Sequence, residues 1–216
     1  MRFWIPALVA AVLLACGGVS YYLWAHYEPP PDIHGAYLQP ARKLGNFSLL
    51  NHRQSRFDRE DLKGRWHLVT YGYTHCPDIC PMTLSTLSQW VQRLEQNDVY
   101  PDLQVLFYSV DGERDTPEVL EQYVPYFHSD FIGLTPGKHG GHKSFEQGLG
   151  IVSREPSQGP WLNHGVMIML LNPRAQLQAV FRPERNERGL FHFRGETLFR
   201  DYQAVRRYYE RHGSNG

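Results

Sequence analysis

Cys76 and Cys80 are the residues best suited to do chemistry. They stand four positions apart in the run Tyr71-Gly72-Tyr73-Thr74-His75-Cys76-Pro77-Asp78-Ile79-Cys80-Pro81. Side chains at i and i+4 can face the same side of a helical turn. A helix N-terminus, with its unpaired backbone N–H groups and the positive end of its dipole, favours thiolate at both positions. Paired thiolates select soft ions, Cu(I) and zinc among the common metals. They leave the coordination of Cu(II) or Zn(II) incomplete, and a histidine would supply the missing ligand. The chain has 11 histidines, so composition chooses none of them. His164 is the best placed, in Trp161-Leu162-Asn163-His164-Gly165, a loop leading into the apolar run Val166 to Leu171. His75 adjoins Cys76, but adjacent side chains project differently, so it is not counted as a ligand. His139 and His142 belong to a Gly-rich stretch that reads as a solvated loop. The plainer alternative for Cys76 and Cys80 is a structural disulfide or two buried thiols. The same pair can also cycle between metal-bound and oxidised forms.

Such a site needs a scaffold. Trp66 to Tyr71 is short, β-branched and aromatic, and Gly72 follows it, which predicts a strand. Thr83 to Gln96 predicts a helix, with Leu84, Leu87, Val91 and Leu94 on one face. The Cys segment therefore connects a buried strand to a helix. Leu103 to Val110 is a near-continuous apolar strand, suited to a central sheet position. Thr116-Pro117-Glu118 starts a further helix, with Thr as N-cap and Pro at the first helical position. Phe131 to Leu134 predicts a brief strand and Lys143 to Gly148 a short helix. Val166 to Leu171 and Leu177 to Phe181 predict an antiparallel pair turning at Asn172-Pro173. Glu196 to Arg211 closes as a helix. Leu198, Tyr202, Val205 and Tyr209 lie on its packed face, and Arg206, Arg207 and Arg211 on a solvated one. Phe47 to Leu50 and Arg53 to Phe57 read as a hairpin near the start of the domain. The alternation gives an α/β fold, a mixed sheet flanked by helices.

The chain has 216 residues, enough for one domain with a core and an anchor. Lys and Arg together number 22, as do Asp and Glu, a balance that gives no support to nucleic-acid binding. Three cysteines cannot make a disulfide scaffold, so the domain relies on its core. No charged residue occurs from Phe3 to Ala25. As a helix this run spans about 34 Å, sufficient to cross a bilayer. Tyr21, Tyr22 and Trp24 gather at its far end as an interfacial belt, and Arg2 before it orients the N-terminus inward. Residues 1–27 thus read as a transmembrane anchor. Leu13-Leu14-Ala15-Cys16-Gly17 offers a second reading, a lipoprotein signal with Cys16 as the lipidated residue. Residues 28–45, opened by Pro29-Pro30-Pro31, read as a linker, and 46–212 as the folded domain.

Here a resemblance becomes specific. Gly72 to Leu84 (GYTHCPDICPMTL) is similar to the signature of the Sco/SenC family. Ser109 to Leu120 (SVDGERDTPEVL) and Phe131 to Gly137 (FIGLTPG) resemble its following segments, in the family's order. The resemblance implies a thioredoxin-like fold and a Cu(I)/Cu(II) site of Cys76, Cys80 and His164. It implies delivery of copper to the CuA site of cytochrome c oxidase and an upstream copper donor, while both anchoring readings of the N-terminus put the domain on the outer face of the inner membrane or in an equivalent compartment. Asp78, Asp111 and Asp115 match acidic positions of the family and read as supporting or docking groups. Asn163, Gly165 and Gly112 depart from the family's usual Asp, Ser and Pro, which bears on tuning and partner choice. The rival reading is a membrane-tethered thiol–disulfide oxidoreductase that uses Cys76 and Cys80 as a redox-active disulfide and acts on the oxidase cysteines or on other exported proteins.

Overall fold

The computed structural model describes residues 4–137, 141–151, 167–187 and 189–213. The chain divides into two compact units, Met1–Pro30 and Pro31–Gly216. The first contains α1 (Trp4–Ala25), whose window Leu8–Ala25 has a mean hydropathy of 1.8. This helix is long and apolar enough to cross a membrane. Cys16 lies on it, exposed.

In the second unit, the described residues form one mixed sheet of eight strands. They are β1 (Gly35–Lys43), β2 (Ser48–Asn51), β3 (Arg56–Asp58), β4 (Trp66–Gly72), β5 (Leu103–Ser109), β6 (Ile132–Thr135), β7 (Ile168–Asn172) and β8 (Gln176–Phe181), in the order β1-β8-β7-β4-β5-β6-β2-β3. The centre, β4-β5-β6, is parallel; both flanks are antiparallel. Parallel strands require crossovers. These are supplied by α2 (Ile79–Gln96) between β4 and β5 and by α3 (Pro117–Tyr123) between β5 and β6. A short α4 (Lys143–Leu149) follows β6, a small hairpin β9 (Glu184–Arg185) and β10 (Phe191–His192) follows β8, and α5 (Gly195–His212) ends the domain.

Side-chain alternation divides the core between the two sheet faces. Trp66, Leu68, Val105, Phe107, Ile168 and Leu170 meet Leu84, Leu87 and Trp90 of α2 and Leu198, Tyr202 and Val205 of α5. The intervening residues Val69, Leu106, Tyr108, Met169 and Leu171 meet Phe145 and Leu149 of α4. Period-2 strands and a period-3.6 helical stripe account for this arrangement.

Two expectations are corrected. The stretch read as a linker, 28–45, contains β1, which pairs with β8 from Gly35↔Phe181 to Lys43↔Gln176. Pro40 and the surrounding polar residues hide this strand from a pattern search, since Pro is tolerated at an edge or an irregularity in the ladder. Arg206 is not on a solvated face. Only 9 % exposed, it bonds Asp102 at 2.6 Å, with its guanidinium over the rings of Tyr100 and Trp66. An arginine stem and planar head can be buried when aromatic faces and a carboxylate receive the charge.

Candidate metal centre

The parallel strands β4 and β5 end side by side, with Gly72 opposite Ser109. Crevices beyond the carboxyl ends of such strands are where α/β sheets hold ligands. The chain leaves β4 at Gly72, turns through Thr74 and His75, and enters α2 at Ile79, earlier than the sequence pattern predicts. Pro81 lies in the first helical turn, where a missing N–H costs nothing. Cys80 is also in that turn, and Cys76 precedes the helix in the loop.

The buried stripe of α2 runs Cys80, Thr83, Leu84, Leu87, Ser88, Val91 and Leu94. Cys80 therefore occupies a core-facing helical position and is 4 % exposed, whereas Cys76 is half-buried. Both are free thiols, and their side chains are hydrogen-bonded to each other. A Cβ added to Gly72 would collide with the Cys80 sulfur and touch the Phe107 ring. Glycine at that position leaves the sulfur its space. Burial and then the bond to Cys76 push the Cys80 thiol well above the ordinary cysteine range, although the Tyr73 backbone hydrogen bond acts the other way. The expectation that the helix N-terminus favours thiolate is thus overruled at Cys80: burial outweighs the dipole.

Asp115 fixes the loop. Fully buried, its carboxylate accepts hydrogen bonds from the Thr74 N–H at 2.8 Å, the Thr74 hydroxyl at 2.6 Å and the Ser109 hydroxyl at 2.6 Å. It thereby ties the approach to Cys76 to the end of β5. Asp111 receives Arg114 Nε at 2.5 Å, and its backbone N–H donates to Ser109 Oγ at 3.1 Å. Asp78 is the N-cap of α2, exposed and without a side-chain capping bond. His75 is exposed, with Nδ1 3.2 Å from Thr74 Oγ1 and 4.0 Å from Asp115. His164, with Asn163 and Gly165, lies outside the described residues, as does His139.

The sequence reading missed Tyr73, whose side chain is hydrogen-bonded to Cys76, and it missed Thr74 and Ser109 as partners of Asp115. Nothing in their types or spacing signals these contacts, which arise from strand register. A further cluster among the described residues, Glu95, His128 and Asp130, brings its ligand atoms within 4.8 Å of one another. It contains no sulfur. His128 Nε2 is already 3.3 Å from Glu95, and Nδ1 accepts the Asp130 N–H at 3.3 Å.

The sequence matches SCO1/SenC over residues 35–192. The chain belongs to the SCO1/SenC family. It is 34% identical over 191 residues to Protein SCO2, mitochondrial, of Saccharomyces cerevisiae, covering 83% of this chain and 62% of that protein. It is 38% identical over 177 residues to Protein SCO2 homolog, mitochondrial, of Bos taurus, covering 80% and 65%. The chain thus spans less than two thirds of the length of these SCO1/SenC relatives. Among solved structures, it resembles Arabidopsis thaliana ScoI with copper bound, with a TM-score of 0.62 and 27% identity over 76% of this chain and 99% of that one. It also resembles yeast Sco1 with copper bound, with a TM-score of 0.59 and 26% identity over 81% and 90%. These likenesses establish the thioredoxin-like fold read from the sequence: a mixed sheet flanked by helices.

Proposed function

We propose that this chain is a copper metallochaperone that holds Cu(I) or Cu(II) on Cys76, Cys80 and His164 and passes it to the CuA-bearing subunit of cytochrome c oxidase during assembly. The observation that carries this reading is the pair of hydrogen-bonded free thiols at the carboxyl end of the parallel strands, in a chain whose family includes copper-bound structures. Two thiolates suit Cu(I), and an imidazole extends the set to Cu(II). An upstream donor supplies the ion. The apolar α1 holds the domain at the inner membrane, facing the periplasm or an equivalent compartment, and Cys16 is the lipidation site if the N-terminus is processed as a lipoprotein. Asp78, Asp111 and Asp115 support the site or a docking partner.

The test is copper stoichiometry and the Cu(II) absorption spectrum of the reduced full-length chain in detergent. We expect one copper per chain with a thiolate-to-Cu(II) band. Cys76→Ala or Cys80→Ala should abolish tight binding, and His164→Ala should weaken Cu(II) more than Cu(I). Equal retention of both ions by His164→Ala would remove that histidine from the ligand set. No retained copper, with rapid disulfide exchange on a test substrate, would favour the oxidoreductase reading.

A further inference from the structure

The thiols occupy the carboxyl end of the parallel strands. A second group of ligand-type side chains gathers at the opposite end, where β5 begins at Leu103 and β6 at Ile132. Glu95, in the last turn of α2, and His128 and Asp130, in the turn before β6, each bring one ligand atom to within 4.8 Å of the other two. Their neighbours hold this arrangement. The His128 ring stacks on the buried ring of Phe131, 5.0 Å between centroids, and its side chain is only 8 % exposed. Gln104 of β5 donates a side-chain N–H to the Asp130 carbonyl and so ties the turn to the sheet. The three residues line a cleft of about 270 Å³ together with Asp98 and Arg65, so that three carboxylates share it with one guanidinium. The carboxyl end of α2 adds the negative pole of its dipole, which favours a cation.

His128 Nε2 and Glu95 Oε2 are 3.3 Å apart. That is long for an N–H···O bond, whose usual range ends at about 3.2 Å. It matches the spacing of two ligands on a tetrahedral ion with bonds of about 2.0–2.1 Å, which is about 3.3–3.4 Å. Cu(I) prefers sulfur, whereas one imidazole with two carboxylates suits zinc. We infer that Glu95, His128 and Asp130 form a zinc(II) site, with water completing a four-coordinate ion. The ion takes the place of the Nε2 proton. The ring then carries its proton on Nδ1 and gives up the bond from the Asp130 N–H, a weak one at 3.3 Å in an exposed turn. That loss makes the site weaker than a closed structural zinc site. Bound zinc joins the end of α2 to the turn before β6. The site owes nothing to the copper reading above.

The experiment uses the full-length Cys76→Ser/Cys80→Ser chain in detergent, in which the thiols no longer compete for metal. This parent is compared with the same chain carrying Glu95→Gln, Asp130→Asn or, as a control, Glu121→Gln, an exposed carboxylate on α3. The substitutions keep side-chain size, so the four metal-free chains should melt together. Titration with Zn(II) should show parent and control binding one zinc at least about tenfold more tightly than Glu95→Gln or Asp130→Asn. Zinc should raise the melting temperature of parent and control only. Co(II) should give the parent visible d–d bands without thiolate charge transfer, and both ligand variants should lose them. Zinc affinity and melting shift unchanged by Glu95→Gln and Asp130→Asn would overturn the inference and place the ion on other histidines. No zinc uptake by the parent would overturn it as well. If a metal-free ligand variant melts lower, its Co(II) spectrum at a temperature where it is folded decides: retained bands count against the site, lost bands for it. None of these outcomes bears on the thiols, which the chain under test lacks.

Discussion

At the scale of single residues, the centre depends on what surrounds the sulfurs as much as on the sulfurs themselves. Gly72 stands where any side chain would press on Cys80. Gly72→Ala should therefore leave the sheet intact, because alanine fits a strand, but displace the Cys80 sulfur and lower copper occupancy well below one per chain. Metal analysis alongside far-ultraviolet circular dichroism measures both, and full occupancy in a folded variant would contradict the packing argument. The cysteines are legible in the sequence because their type and spacing are rare outside chemistry. Thr74 and Ser109 are not, since hydroxyl residues at strand ends are common and only the register of β4 against β5 brings them to Asp115.

At the scale of elements, most of the fold follows from pattern. The apolar runs of β5 and β7 and the stripe of α2 are strong periodic signals, and each element forms close to where that signal predicts. The failures have a shared cause: tertiary pairing overrides a weak local pattern. The strand β1 (Gly35–Lys43) alternates poorly and contains Pro40, yet it covers the edge of β8 and places Tyr37 edge-on to Tyr208 at 5.3 Å. A chain begun at Asn46, where the pattern suggests the domain starts, loses this strand and the buried Leu44. It leaves the β8 edge open to pairing with other chains. We expect a chain begun at Pro31 to remain soluble and unfold cooperatively, and one begun at Asn46 to unfold at lower temperature and aggregate. Equal melting curves would mean that β1 contributes nothing to the folded state.

At the scale of the whole molecule, the buried titratable groups set a pH limit on stability. His67, in the middle of the sheet on β4 between β5 and β7, is 2 % exposed, and burial lowers its pKa to about 4. An unfolded histidine has a pKa of about 6.5. Above that value both states are neutral, and His67 contributes nothing to pH dependence. Between the two values the unfolded chain binds a proton that the folded chain refuses, so stability falls as pH drops from 6.5 towards 4. It levels off below that, after a loss of about 3 kcal/mol. His52 is also buried, and its burial shifts it in the same direction. Urea unfolding at pH 7 and pH 4.5 should therefore show a steeper loss for wild type than for His67→Gln, whose side chain cannot charge. The difference between the two proteins isolates His67 from the carboxylates, which titrate in both. Parallel losses would mean that the sheet opens enough near pH 5 to hydrate the imidazole. In that case the central strand that leads into the Cys76–Cys80 loop would be less rigid than its complete burial implies, and the geometry of the centre would itself loosen in acid.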